Sequence, residues 1–129
     1  MLFLEPIFWL AMNLYHEARG ESVAGQVAVA HVVLNRAQKR GKSLKEIILQ
    51  PYQFSWANSG ARPSVDEYEA MLQCFESAAI ALNERLEGKN FKGADHYHEK
   101  NMKPFPKWAS APSMKHIATV GNHIFYKDA

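Results

Sequence analysis

The run VAGQVAVAHVVLNRA, residues 23–37, is apolar on nearly every side. A segment without a polar face must be surrounded by other protein rather than laid on a surface. Its valines leave a buried helix and a buried strand equally open on pattern alone, and its length points to a central helix. The remaining residues must then wrap it. In a chain of 129 residues, 47% hydrophobic and 22% charged, there is material for one such core and no second. The expectation is a single domain over residues 1–129 that folds on packing alone. One cysteine, Cys74, excludes an internal disulfide and a cysteine-held structural zinc. With no His or Asp near it in sequence, Cys74 reads as a small buried residue rather than a nucleophile.

Around the central run, a first helix is expected from Pro6, where a missing N–H costs nothing, to Ala18, with Gly20 ending it. Ile7, Leu10, Ala11, Leu14 and Ala18 form its apolar stripe. Ser43 and Glu46 make a capping box for a short helix that Pro51 stops. Ser64 and Glu67 make another, opening the longest helix, whose stripe reads Val65, Tyr68, Leu72, Phe75, Ala79, Leu82 and Leu86 up to Gly88. Beyond it, FKGADHYHEK and GNHIFYKDA read as extended segments around a small helix from Ser113. The fold class is α+β and mainly helical, with a small β element.

Fifteen Lys and Arg against thirteen Asp and Glu leave a formal charge of +2, and the basic stretch KNFKGADHYHEKNMKPFPK is broken by acids and prolines. A nucleic-acid track is not expected. The N-terminal run MLFLEPIFWLAMNLY carries Glu5 and Pro6, has no basic leader and is too short to cross a bilayer, so neither a signal peptide nor stable membrane association is expected.

Polar residues that a simple helix would not need first appear in NLYHEARGES. By helical geometry Glu17 lies about 80° from the centre of its apolar stripe, one turn or less before Gly20. A carboxyl there is half desolvated, which raises its pKa as a general acid requires. The alternative is an edge glutamate paired with Arg19 or Arg36. Gly20 is expected in a left-handed C-cap, with Glu21 capping or positioning at the start of the next helix. On a strand, His96 and His98 share one face and Tyr97 takes the other. Two histidines without a third ligand do not make a metal site, so they are read as substrate hydrogen-bonding or packing groups, with no metal or other cofactor. Trp9 reads as core; Trp56 in QFSWANSG and Trp108 in PFPKWAS suit stacking on sugar rings as well as they suit packing.

The residues YHEARGES-x-x-GQVAVA-x-VVLNR resemble the opening motif of the SleB-like cell wall hydrolases. The likeness continues through QFSW (Gln53–Trp56), GADHYH (Gly93–His98), PKWA (Pro106–Ala109) and VGNHIFY (Val120–Tyr126). The resemblance implies a lysozyme-like or lytic-transglycosylase-like domain that cuts peptidoglycan glycan strands between N-acetylmuramic acid and N-acetylglucosamine, leaving 1,6-anhydro ends. It places Glu17 as the catalytic acid. Glu21, Gln53, Phe54, Ser55, Trp56, His96, Tyr97, His98 and Trp108 become candidate substrate contacts, and Asp95 or Glu99 a second carboxylate if one is used. The expected setting is a monomeric phage endolysin, kept in the host cytoplasm until released to the wall. The alternatives are a muramidase using water at the same bond, and a non-catalytic glycan binder.

Overall fold

The computed structural model describes residues 5–50 and 68–129. Within them four helices precede a three-stranded antiparallel sheet: α1 (Glu5–Ala18), α2 (Val23–Arg40), α3 (Leu44–Leu49), α4 (Tyr68–Leu86), β1 (His96–Glu99), β2 (Met114–Val120) and β3 (His123–Asp128). No helix among the described residues is long and apolar enough to cross a membrane.

The apolar run is the central helix α2, buried without interruption from Ala28 to Asn35. Ser22 caps its start by accepting from the Gly25 N–H at 3.2 Å. Its end is closed by Gly41, whose φ of 63° is the left-handed cap that a side chain would oppose. The structure puts that conformation at Gly41 and not at Gly20, whose φ is not positive. Burial of α1 exceeds the expected stripe: every residue from Leu10 to Tyr15 is buried, because α2, α3 and α4 all pack against it. Trp9 is half-buried at the edge of this core. The capping box at Ser43 and Glu46 forms, both bonds at 3.1 Å.

Along α4 the buried face is shifted from the expected one, of which Phe75 and Leu82 are partly buried against the core. Met71, Cys74, Ser77, Ala78 and Ala81 are buried, whereas Tyr68, Leu72 and Leu86 are 82%, 68% and 87% exposed and Ala79 is exposed as well. The larger side chains suggested one stripe, but close packing against α1 and α2 selects the neighbouring line of Met71 and the small residues Cys74, Ser77, Ala78 and Ala81. Val65 and the Ser64–Glu67 capping box lie outside the described residues. The small helix expected from Ser113 is also replaced, by β2. Ile117, Thr119 and Val120 favour a pleated surface. The two-residue turn Gly121–Asn122, with Gly121 at φ 57°, folds β2 back onto β3 as a hairpin.

The sheet order is β1-β3-β2. Three residues near the C-terminal end of α2 hold the segment that leads into β1. Asn35 Nδ2 donates to the carbonyls of Asn90 (2.9 Å) and Ala94 (2.7 Å), Arg36 Nε to that of Asp95 (2.8 Å), and Lys39 Nζ to the Asp95 carboxylate (2.8 Å).

Candidate active site

Glu17 sits in the last turn of α1, half-buried. That end of the helix is fastened by Gln26, a fully buried side chain within the apolar run. Its amide donates to the carbonyls of Ala18 (3.1 Å) and Arg19 (3.5 Å) and to Gln73 Oε1 (3.1 Å), while its oxygen accepts from Ser77 Oγ at 2.7 Å. The carbonyls that a helix end leaves open are thereby satisfied and tied to α4.

Burial pushes the pKa of Glu17 up, and the charge of Arg36 acts in the opposite direction without cancelling it. Arg36 is itself largely desolvated and is steadied by the Asp95 carbonyl. Arg19, the other expected partner, donates to the Tyr15 hydroxyl at 2.9 Å and lies 4.9 Å from its ring centre. Tyr97 completes the group. Burial and then the charge of Glu17 drive its phenol pKa upward, against the opposing charge of Arg36, so the hydroxyl stays protonated. Its ring is held 5.7 Å from Phe125 and edge-on to His123 at 5.1 Å.

The neighbouring carboxylates are held in a different state. Glu21 accepts from the Asn122 N–H (3.1 Å) and Nδ2 (2.9 Å) and lies 3.5 Å from His123 Nδ1. Desolvation would raise its pKa, but these bonds and the His123 interactions outweigh it and lower it. Two glycines make the room. A Cβ on Gly121 would stand 2.9 Å from Glu21 Oε1, and one on Gly25 would stand 3.2 Å from Glu21 Cβ. Glu21 thus links the start of α2 to the β2–β3 turn. Asp95 also faces desolvation, overcome by bonds from Lys39, His96 and the Asp128 N–H, so its pKa is lowered. Glu99 is exposed at the end of β1.

His96 and His98 share a face of β1 and Tyr97 takes the other, as the strand alternation predicts. His98 is buried, with Nε2 2.9 Å from the Tyr126 hydroxyl and Nδ1 2.9 Å from the Glu99 carbonyl. His96 Nδ1 meets Asp95 Oδ1 at 2.9 Å. Trp108 lies over both, 5.0 and 5.6 Å between ring centres, with Phe105 4.4 Å from His98. Of the candidate contacts, Tyr97 is brought to Glu17, and Glu21 to the adjoining turn. His96, His98 and Trp108 form a separate aromatic cluster, while Gln53, Phe54, Ser55 and Trp56 lie outside the described residues. No group of three or more His, Cys, Asp or Glu among the described residues is arranged to hold a metal ion.

Gln26, Asn35 and Lys39 were not singled out from sequence as builders of the site, and Arg36 was named only as a partner for Glu17. The signal for Gln26 and Asn35 was a polar side chain inside an otherwise apolar run, which must find partners when buried.

The helical body, the small sheet and a desolvated carboxyl at a helix end define a lysozyme-like fold. Solved structures share it. The catalytic domain of the germination-specific lytic transglycosylase SleB from Bacillus anthracis superposes with a TM-score of 0.72 at 27% identity, covering 95% of this chain and 93% of that one. The catalytic domain of Bacillus cereus SleB gives 0.69 at 26% identity, with 95% and 89% covered. The chain belongs to the Cell Wall Hydrolase family, whose pattern matches residues 20–126. Spore cortex-lytic enzymes of Halalkalibacterium halodurans and Bacillus cereus are each 31% identical to it, over 90% and 92% of this chain. The chain spans 33% and 42% of the length of those two relatives.

Proposed function

We propose that this chain cleaves peptidoglycan glycan strands between N-acetylmuramic acid and N-acetylglucosamine as a lytic transglycosylase, with Glu17 as its single acid and base. The carrying observation is the contrast among carboxyl groups. Among the described carboxyl groups Glu17 is the one whose pKa is raised, while bonds to the fold lower those of Glu21 and Asp95.

In the reaction, the protonated Glu17 gives its proton to the glycosidic oxygen as the C1–O bond of muramic acid breaks. The positive charge that develops at C1 faces the new carboxylate. Glu17 then takes the proton of the muramyl 6-hydroxyl while O6 bonds to C1, closing the 1,6-anhydro ring and restoring the acid. A nucleophile tethered in the substrate has a large entropic advantage over water, and the bonded state of Asp95 and Glu21 fits a reaction that needs no second carboxylate. Tyr97 supplies a neutral hydroxyl beside the reacting groups. We place Gln53, Phe54, Ser55 and Trp56 along the glycan.

Mass spectrometry of muropeptides released from purified peptidoglycan tests this directly. Anhydro-muramic ends, one water lighter than hydrolytic products, are expected. Fragments carrying only reducing ends, labelled by heavy-oxygen water, would sink the transglycosylase reading and leave a muramidase. The delivery we propose is that of a phage endolysin acting in host lysis. Cytoplasmic expression with and without a membrane-opening holin checks it, lysis being expected only with the holin.

A further inference from the structure

Lys115 on β2 and Lys127 on β3 are direct cross-strand partners, a placement of like charges that weakens a sheet. A third cation, Lys92, arrives from the turn before β1. There Phe91, Lys92 and Gly93 take φ values of 53°, 54° and 78° in succession, and for the first two the left-handed backbone is strained. Lys127 has a defined course: a Cβ on Gly93 would stand 3.2 Å from its Cδ and Cε and 3.3 Å from Nζ, so its stem runs along the glycine. With His116, Ile117 and Ala129, the three lysines line a groove of 400 Å³. No side-chain carboxylate is among its described lining residues, and Asp95 nearby is bonded to Lys39 and His96.

The fold therefore gathers like charges over a strained turn, at a cost to its own stability. Charges of one sign in a concave surface focus their field on a counter-ion. We propose that this groove binds the phosphodiester groups of an anionic polyol phosphate polymer of the bacterial wall. Lysines act as point charges suited to phosphate, whereas a planar carboxylate is matched by the arginine fork, and no arginine is among the described lining residues. His116 is its one aromatic ring among the described lining residues, which gives the bases of a single-stranded nucleic acid little to stack on. The choice of a wall polymer rests on the proposed site of action, whereas the phosphate chemistry does not. Such a contact would hold the enzyme on the wall between cuts.

The test is a titration of the E17Q chain with a short synthetic glycerol phosphate oligomer, followed by amide NMR and calorimetry at low and high salt. Shifts centred on Lys92, Lys115 and Lys127 are expected, with affinity falling as salt rises. The variant K92Q/K115Q/K127Q should lose about tenfold or more in affinity, while the exposed-lysine control K42Q/K100Q/K107Q should bind as the parent does. The first variant should melt no lower than the parent, because it loses the opposed charges. Equal affinity in the two triple variants would overturn the proposal, as would equally tight binding of polyglutamate or single-stranded DNA. Because binding is read on a chain lacking Glu17, loss of the glycan-cleaving reading leaves this result standing.

Discussion

Glu17 and Arg36 are coupled, and their substitutions separate charge from structure. Glu17→Gln keeps the side chain's shape and removes the proton, so clearing of a peptidoglycan suspension should slow by about a hundredfold to ten-thousandfold. Parent-like clearing would falsify the assignment. Its stability should move the other way. Burial raises the pKa of Glu17, so the folded chain holds this proton more tightly than the unfolded one. Folding free energy is lost as pH rises from the ordinary carboxylate range through the raised value. Glutamine has no such loss, and thermal melts at neutral pH should show Glu17→Gln at least as stable as the parent. Arg36 opposes that rise. Arg36→Met should therefore carry the alkaline limb of the activity profile to higher pH, while Arg36→Lys, which keeps the charge, should leave it near the parent position. An unmoved limb in Arg36→Met would show that its charge does not tune the acid. Tyr97→Phe retains the ring packing and should lower the rate by about tenfold to a hundredfold, if the hydroxyl bonds charge developing in the reaction.

Two junctions between elements carry the positioning. Gln26 joins the end of α1 to α4, and its replacement by Leu would leave the Ser77 hydroxyl and two helix-end carbonyls without it. A loss of about 1–3 kcal/mol is expected in denaturant melts, with a fall in rate at temperatures where the chain is still folded. Asp95 joins α2 to the end of β3 through Lys39 and the Asp128 N–H. Its pKa is lowered in the fold, so its contribution is complete above the ordinary carboxylate value and disappears as pH falls through the lower, folded one. Asp95→Asn should flatten the acid side of the stability profile. An unchanged acid limb would assign acid unfolding to other carboxylates such as Glu21.

Across the whole molecule, the proposed proton transfer through Glu17 calls for no metal ion. Dialysis against a strong chelator should leave the clearing rate unchanged, and its restoration by zinc after a loss would recast the histidines as ligands. Much of the architecture was legible in residue order. The run 23–37, apolar on nearly every side, could only be a central element, Ser43 and Glu46 announced a helix start, and Glu17 stood at the margin of an apolar stripe one turn before a glycine. These are local properties, carried by spacing and capping chemistry that act within a few residues. Other features depended on what lay opposite. Close approach of α1 and α2 chose the small-residue line of α4 over the one bearing Leu72 and Leu86. Pairing with β3 made a strand of the segment from Met114. The alternation along HYHE was readable, but not which face would meet the helices, and that choice separates Tyr97 from His96, His98 and Trp108. Nor could residue order show that bonds to the fold would lower the pKa values of Asp95 and Glu21 while burial raised that of Glu17. A carboxyl's charge state depends on the donors and burial that the fold brings to it, and those donors, Asn122 for Glu21 and Lys39 and Asp128 for Asp95, come from residues far apart in the chain.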